Sequence, residues 1–142
     1  MISINKEALD QIRRHAESSY PAECCGALFG VKNNDTRSVS EIIPLPNRWD
    51  GESAKQRYLI TADDYIYLEK TAEEKGADIL GFYHSHPDHA AQPSDYDREQ
   101  ALPVYAYLIV AVEKGTARDI ACWVLCNDRS AFSRETMNVT SS

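Results

Sequence analysis

The chain lacks the features that mark membrane-spanning and disulfide-bonded proteins. None of its 142 residues belong to an unbroken apolar run of the roughly 20 residues needed to cross a bilayer. Residues 1–7, MISINKE, contain no apolar core of the kind found in a signal peptide. We therefore expect a cytoplasmic location, where the four cysteines would be reduced thiols and not a disulfide framework.

Positive charge is also scarce. The chain has 15 basic and 22 acidic side chains, which gives a formal net charge of −7. Nucleic-acid backbones and anionic membrane surfaces need a basic binding face, so we expect neither of them as a partner. Repeats and low-complexity segments are missing too. A hydrophobic share of 43% with 26% charged residues is typical of a single globular domain.

The pattern of apolar residues and turn signals predicts an α+β protein. It predicts, in order, a helix over 5–20, a hairpin of strands over 24–31 and 39–43, a strand over 57–60, a helix over 61–75, a buried strand over 79–84, a short helix after Ser94, strands over 104–112 and 120–125, and a short strand near Phe132. This order favours a single-domain mixed β-sheet flanked by helices. We place the domain at residues 1–137 and expect residues 138–142 to be a disordered tail.

Two histidines and an aspartate form a candidate metal-binding pattern. His84 and His86 are two residues apart at the end of the predicted buried strand, so both imidazoles point to one face and Ser85 points to the other. Ser94 and Asp97 follow, one helical turn apart. Two imidazoles and one carboxylate leave the fourth position of a tetrahedral zinc site open for water, which is typical of a catalytic site.

This pattern resembles the motif of the JAMM metalloproteases, also called the MPN-plus or Mov34/PAD-1 family. The chain reads His84-x-His86-Pro87, then six residues, then Ser94-x-x-Asp97. Isolated His-x-His pairs are common on protein surfaces, but the extended motif is far more specific. Pro87 fits the end of a strand because it cannot donate a ladder hydrogen bond.

The resemblance continues upstream of the motif. Residues 21–30, PAECCGALFG, are similar to the family's first segment, in which a glutamate precedes a glycine-containing strand. Residues 81–83, GFY, before the histidines are also similar to the family. The resemblance covers nearly the whole chain and matches the compact stand-alone prokaryotic type. It implies the JAMM/MPN fold, which is cytidine-deaminase-like.

The resemblance also implies a role for each matching residue. His84, His86 and Asp97 would bind one Zn²⁺ per chain. Glu23 would be the general base, which takes a proton from water and later gives it to the leaving amine. Ser94 would donate a hydrogen bond to the oxyanion of the tetrahedral intermediate. The reaction would be hydrolysis of an amide or isopeptide bond without a covalent intermediate.

Each of these residues also has an ordinary structural interpretation. Without the resemblance, the favoured interpretation of Glu23 is an exposed acid at a helix-to-strand turn, since most glutamates are exposed. Ser94 suits the N-cap of a helix, and Asp97 suits its first turn, where the helix dipole favours acids. A competing metal interpretation is a structural zinc held by the histidine pair and either Cys24 or Cys25. Only one of two adjacent strand residues could reach such a site.

The resemblance implies ubiquitin-like or sulfur-carrier proteins with a C-terminal Gly-Gly tail as partners. The loop over 44–58, which carries Arg48, Trp49 and Arg57, is a candidate binding segment for that tail. The alternative function is an MPN-type protein-binding scaffold without catalysis. A RadC-like protein linked to DNA is disfavoured by the acidic balance. We expect a monomer or a weak homodimer.

Overall fold

A computed structural model describes residues 1–49, 54 and 57–141 of the chain. The described residues form three helices and eight strands in the order β1-α1-β2-β3-α2-β4-α3-β5-β6-β7-β8. The helices are α1 (Lys6–Ser19), α2 (Ala62–Lys75) and α3 (Asp95–Gln100). The strands are β1 (Ile2–Asn5), β2 (Cys25–Asn33), β3 (Thr36–Leu45), β4 (Asp78–Pro87), β5 (Ala106–Glu113), β6 (Thr116–Leu125), β7 (Phe132–Glu135) and β8 (Met137–Thr140).

Local signals define both long helices. Asn5 caps α1, because its side chain accepts a hydrogen bond from the Ala8 amide at 2.7 Å. A capping box of Thr61 and Asp64 begins α2, and Gly76 in the left-handed region ends it. All of these boundaries confirm the sequence prediction.

The eight strands form one mixed sheet in the order β7-β6-β5-β4-β2-β3-β1-β8. β4 lies at its centre, antiparallel to β2 and parallel to β5. Helix α1 packs on one face, where Leu9 and Ile12 contact the same core cluster as Leu28 and Tyr83. The other face, under α2, has its own cluster. The predicted α+β class with a mixed sheet between helices is confirmed.

The two ends of the chain meet in the sheet. β8 pairs in parallel with β1, so that Ile2 lies opposite Met137 and Asn5 lies opposite Thr140. The sequence pattern did not predict β1, and the tail that was expected to be disordered over 138–142 instead forms the strand β8 up to Thr140. Short strands like these have little periodicity of their own, and their stability comes from partners that are distant in sequence.

The predicted strand over 57–60 is wrong. These residues have no strand structure, although Tyr58 is buried. Side chains provide most of the partners here, since Tyr96 donates to the Tyr58 carbonyl and Asn47 accepts from the Leu59 amide, while the Arg48 amide donates to the Leu59 carbonyl. The loop predicted over 44–58 lies partly outside the described residues, at 50–53 and 55–56. No helix among the described residues is both long enough and apolar enough to cross a membrane.

The pairing of the chain ends leads to a stability prediction. Deleting residues 137–142 removes β8 from the edge of β1, whose Ile2 and Ile4 side chains are fully buried. We expect the free energy of unfolding to fall by about 2 kcal/mol, which lowers the thermal midpoint by roughly 5 °C. Thermal unfolding followed by circular dichroism measures this change. Deleting only residues 141–142 is the control, and an equal midpoint for both truncations would show that β8 contributes nothing.

Candidate metal centre and active site

The central strand positions both histidines on the face of the sheet that packs against α2. His84 lies at the register position between Cys25 of β2 and Ile109 of β5, and its exposed fraction is only 1%. His86 follows on the same face and is also buried. Ser85 points to the opposite face, where its hydroxyl accepts a hydrogen bond from the Cys24 amide at 2.8 Å. That bond ties β4 to the segment that carries Glu23.

Helix α3 brings its aspartate to the two imidazoles. Ser94 is the N-cap, and its hydroxyl oxygen accepts from the Asp97 amide at 3.1 Å. The Asp97 carboxylate closes the capping box, because its Oδ2 atom accepts from the Ser94 amide at 2.9 Å. The same Oδ2 atom lies 3.0 Å from His86 Nε2 and 3.2 Å from His84 Nε2.

The cap interpretation and the ligand interpretation of these residues are therefore compatible. A carboxylate oxygen has more than one lone-pair direction, so Asp97 can complete the cap and still face the histidines. Burial opposes ionisation of Asp97. The adjacent rings of His84 and His86, together with a hydrogen bond from the Ser94 amide, nevertheless hold its pKa well below the usual range. The carboxylate is thus ionised and ready to bind a cation.

The hydrogen bonds of His86 fix where its lone pair points. Its Nδ1 atom lies 2.8 Å from the Ala90 carbonyl oxygen, which can only accept, so Nδ1 carries the proton. In a neutral imidazole Nε2 then presents a lone pair, and it faces His84 Nε2 at 3.2 Å. Burial lowers the pKa of His84, which favours the neutral form of that ring.

Three lone-pair atoms therefore converge, one each from His84, His86 and Asp97, and all of them lie within 4.8 Å of one another. Such a cluster is electrostatically unfavourable unless a cation lies between its members. Ligands on tetrahedral zinc at about 2.0–2.1 Å lie roughly 3.3 Å apart, close to the distances found here. Two nitrogens and one oxygen are also a donor set that zinc prefers. The residues fit a zinc ion, and the three ligands leave a coordination position open.

Glu23 is a buried acid, not the exposed one that the ordinary interpretation describes. Its side chain is 4% exposed, and its Oε1 atom has no hydrogen-bond partner among the described residues. It lines the same cleft as His86, Ser94 and Tyr96. Burial, and then the negative charge of Asp97, raise the pKa of Glu23 to about 9. The cleft thus holds a buried carboxyl group that is close enough to Asp97 to feel its charge.

Sequence reasoning missed Asn47, which holds the wall of this cleft. Its Nδ2 atom donates to the carbonyls of Glu23 at 3.1 Å and of Arg57 at 3.0 Å. Its Oδ1 atom accepts from the amides of Trp49 at 3.0 Å and Leu59 at 3.1 Å. These four bonds join Glu23 to the segment around Tyr58. An asparagine in a proline-containing loop predicts only a turn, so no sequence signal identified this role.

The cysteines do not join the metal centre. The one group of potential ligands within the described residues contains the two histidines and the aspartate but no thiol. Burial raises the pKa of Cys24 to about 11 and that of Cys25 to about 12, so both thiols stay protonated at neutral pH. The alternative of a structural zinc at Cys24 or Cys25 is therefore not supported. His89 is exposed at the rim of the cleft.

Known proteins that are similar to this chain indicate one family. A family model described as prokaryotic homologs of the JAB domain matches residues 5–126, which include all five candidate site residues. A desampylase from Haloferax volcanii is 35% identical over 113 residues, which are 76% of this chain and 78% of the relative. A probable TtuB-protein conjugate cleaving protease from Thermus thermophilus is 29% identical over 113 residues, which are 80% of this chain and 72% of the relative.

A solved structure shows the same fold at lower identity. The crystal structure of a JAB1/MPN domain protein from Archaeoglobus fulgidus has a TM-score of 0.62 to this chain. The match covers 97% of this chain and 98% of the other at 21% identity, so it is a likeness of fold.

The raised pKa of Glu23 leads to a prediction for the metal-free protein. Its folded-state pKa of about 9 exceeds the ordinary 4.5, so the folded state retains a proton that the unfolded state loses between those pH values. Stability must therefore fall as pH rises through this window, by at most about 1.4 kcal/mol per pH unit. Chemical denaturation of chelator-treated protein at pH 5.5 and pH 8 measures the loss.

Glu23→Gln is the matched control for this measurement, because glutamine has no proton to lose at these pH values. We expect the variant to be stabilised relative to the wild type more at pH 8 than at pH 5.5. A difference in stability between the two proteins that is independent of pH would contradict the buried, protonated state of Glu23.

Proposed function

The chain belongs to the family of prokaryotic homologs of the JAB domain, and on that basis we propose that it is a zinc-dependent metallopeptidase. Its reaction is hydrolysis of an amide or isopeptide bond. The observation that carries this proposal is the cleft that the buried Glu23 shares with His86, where Glu23 is close enough to Asp97 to feel its charge and no described residue bonds its Oε1 atom. A scaffold without catalysis has no need for a buried acid at this position.

The roles of the metal-binding residues follow from their geometry. His84, His86 and Asp97 hold the zinc ion, because their ligand atoms already face one point. A bound zinc ion supplies a Lewis acid that polarises a carbonyl oxygen and makes water a better nucleophile. The capping box of α3 holds Asp97 in place, and the Ala90 carbonyl holds His86 in the tautomer that ligation requires.

Glu23 is the group that moves the proton. It accepts a proton from the attacking water and returns it to the leaving amine, which cannot depart as an anion. Burial raises the pKa of Glu23, which makes its carboxylate a stronger base in the first step than an exposed one, and the positive charge of a bound zinc ion would favour the ionised form that this step needs. The Glu23 backbone is held on both sides, since its amide donates to the Ala54 carbonyl at 2.8 Å and its carbonyl accepts from Asn47.

Ser94 is the donor for the oxyanion. Its hydroxyl oxygen accepts a hydrogen bond from the Asp97 amide, and this arrangement leaves the hydroxyl hydrogen available to donate into the cleft. A donor that is already oriented by a helix cap does not need to reorganise when negative charge develops on the substrate oxygen.

Substrates are ubiquitin-like or sulfur-carrier proteins with a C-terminal Gly-Gly tail. Support comes from the two relatives, named a desampylase and a conjugate cleaving protease. A glycine pair has no side chains, which lets an extended backbone approach buried ligands closely. The MPN-type scaffold remains the alternative function, and the bound metal after purification distinguishes the two.

The wall of the cleft provides a surface for such a tail. The guanidinium group of Arg57 lies over the rings of Trp49 at 5.4 Å and Tyr96 at 5.3 Å, and Arg57 and Tyr96 line the cleft. These contacts hold the N–H donors of Arg57 at the entrance of the cleft. Arg48, which the sequence analysis grouped with them, instead forms an ion pair with Asp64 of α2 at 3.1 Å. The tail-binding role therefore narrows to Trp49 and Arg57.

A direct experiment tests the proposed activity. The zinc-loaded protein is incubated with a ubiquitin-like protein that ends in Gly-Gly and is fused to a short C-terminal peptide, and cleavage is followed by mass spectrometry. Glu23→Gln should bind zinc normally and lose hydrolysis by about three orders of magnitude. His84→Ala and Asp97→Ala should instead lose the metal, as measured by elemental analysis.

The control for this experiment is Glu74→Gln, which makes the same chemical change at an exposed position on α2 and should be fully active. A Glu23→Gln protein that cleaves at the wild-type rate would show that another group is the base. Purified protein without a stoichiometric divalent metal, and inactive after zinc is added, would favour the scaffold function.

The cleft wall leads to a separate prediction on substrate binding. Arg57→Ala and Trp49→Ala should each raise KM about fivefold to tenfold. The first variant removes the guanidinium donors, and the second removes the aromatic ring against which the guanidinium group is held. The zinc content and kcat should change little. Arg118→Ala, which removes an exposed arginine side chain, is the matched control. An unchanged KM in both cleft variants would exclude this wall as the tail-binding surface.

A further inference from the structure

The ring of Tyr58 lies directly over one of the candidate zinc ligands. The ring centroids of Tyr58 and His84 are 4.5 Å apart, and the ring planes are inclined by only 25°. Both side chains are buried, with exposed fractions of 7% for Tyr58 and 1% for His84. This is a stacked contact between a core aromatic residue and a ligand imidazole, made from a segment without regular secondary structure.

Among the described residues, no group forms with His84 the hydrogen bond that normally orients a ligand histidine. Such residues usually donate their second ring N–H to a carbonyl or carboxylate, which fixes the plane of the ring. His86 follows this rule through the Ala90 carbonyl. The Nδ1 atom of His84, in contrast, is buried and has no hydrogen-bond partner within the described residues. Rotation of the imidazole about its last side-chain torsion is a soft motion, so another contact must limit it.

The backbone around Tyr58 is itself held firmly. The Tyr96 hydroxyl donates to the Tyr58 carbonyl at 3.2 Å. Asn47 bonds the residues on both sides, through the Arg57 carbonyl at 3.0 Å and the Leu59 amide at 3.1 Å. Because neither neighbour can shift easily, the aromatic ring is a fixed surface against which the imidazole lies.

We propose that Tyr58 is a positioning residue for the metal centre and that it acts by stacking. Its ring holds the plane of His84 so that Nε2 faces His86 Nε2 and Asp97 Oδ2. In this way an aromatic contact takes the place of a hydrogen bond donated by Nδ1, for which the described residues provide no acceptor. This inference rests on the proposed function only in that the three residues bind zinc, and it concerns metal affinity, not the chemical step. The Tyr58 hydroxyl has no part in it.

The test compares two substitutions at this position. Tyr58→Phe retains the ring, whereas Tyr58→Leu retains apolar burial without an aromatic face. Metal-free proteins are titrated with Zn²⁺ in competition with a chromophoric chelator. We expect the zinc Kd of Tyr58→Leu to be about 10- to 100-fold weaker than that of the wild type, as for the loss of a ligand-orienting partner. Tyr58→Phe should stay within about threefold of the wild type.

A second measurement reports geometry independently of affinity. The visible absorption of Co²⁺ bound in place of zinc depends on the arrangement of its ligands, so Tyr58→Leu should change the spectrum and Tyr58→Phe should not. If Tyr58→Leu fails to fold, Tyr58→Met, with an unbranched apolar chain, takes its place and carries the same expectations.

Tyr107→Leu is the control for a general loss of core packing. Tyr107 belongs to the same core cluster as Tyr58 and is equally buried, but its ring stacks on Phe82 and not on a ligand. This variant should lower the thermal midpoint while it retains the wild-type zinc Kd and Co²⁺ spectrum.

The outcomes separate this inference from the proposed function. A folded Tyr58→Leu protein with the wild-type Kd overturns the inference alone, and so does a Tyr58→Phe protein that is as weak as Tyr58→Leu. If the wild type binds zinc and Tyr58→Leu binds it weakly, but no conjugate is cleaved, the inference holds and the proposed activity fails. A wild type that binds no zinc overturns both.

Discussion

The Asp97 carboxylate is the point on which the site depends. One of its oxygens completes the N-terminal cap of α3 and also faces both imidazoles. The cap fixes the carboxylate relative to its own helix, and the central strand fixes the histidines relative to the sheet. Neither element needs the metal to form its hydrogen bonds. The ligand set is therefore preorganised, which reduces the ordering that a cation would otherwise have to impose.

The pKa values of Glu23 and Asp97 are shifted in opposite directions because the surroundings of the two acids differ. Both Glu23 and Asp97 are buried, and burial alone raises the pKa of a carboxyl group. Asp97 lies against two imidazoles and accepts a hydrogen bond from the Ser94 amide, and these contacts outweigh burial and keep it ionised. No residue in the described part of the chain bonds one of the Glu23 carboxyl oxygens, and the charge of Asp97 acts on this group, so Glu23 retains its proton more firmly. One acid is suited to ligation and the other to proton transfer.

The irregular segment around Asn47 and Tyr58 links these two groups. Asn47 bonds the Glu23 carbonyl on one side and the backbone around Tyr58 on the other. Tyr58 in turn stacks on His84, and the neighbouring Arg57 lies at the entrance of the cleft. A segment without a strand ladder thus organises the base, a ligand and the entrance together. Its side-chain hydrogen bonds provide the order that regular secondary structure provides elsewhere.

The sequence by itself determined the features that depend on local contacts. The bounds of α2 follow from Thr61, Asp64 and Gly76, and the shared face of His84 and His86 follows from the alternation of a strand. Ser94 and Asp97 are one helical turn apart, so their pairing is local as well. Family resemblance added Glu23 as a candidate, although nothing near it in the chain indicated burial.

Only the tertiary structure decided the contacts between distant segments. These contacts join residues that are far apart in the chain: β1 with β8, Asn47 with Glu23, and Tyr58 with His84. The burial that raises the pKa of Glu23 likewise comes from distant segments. The expected strand over 57–60 was wrong for the same reason, because side chains from elsewhere took the place of a neighbouring strand. Local propensity describes what a segment prefers alone, whereas burial and long-range hydrogen bonds exist only once the chain has folded.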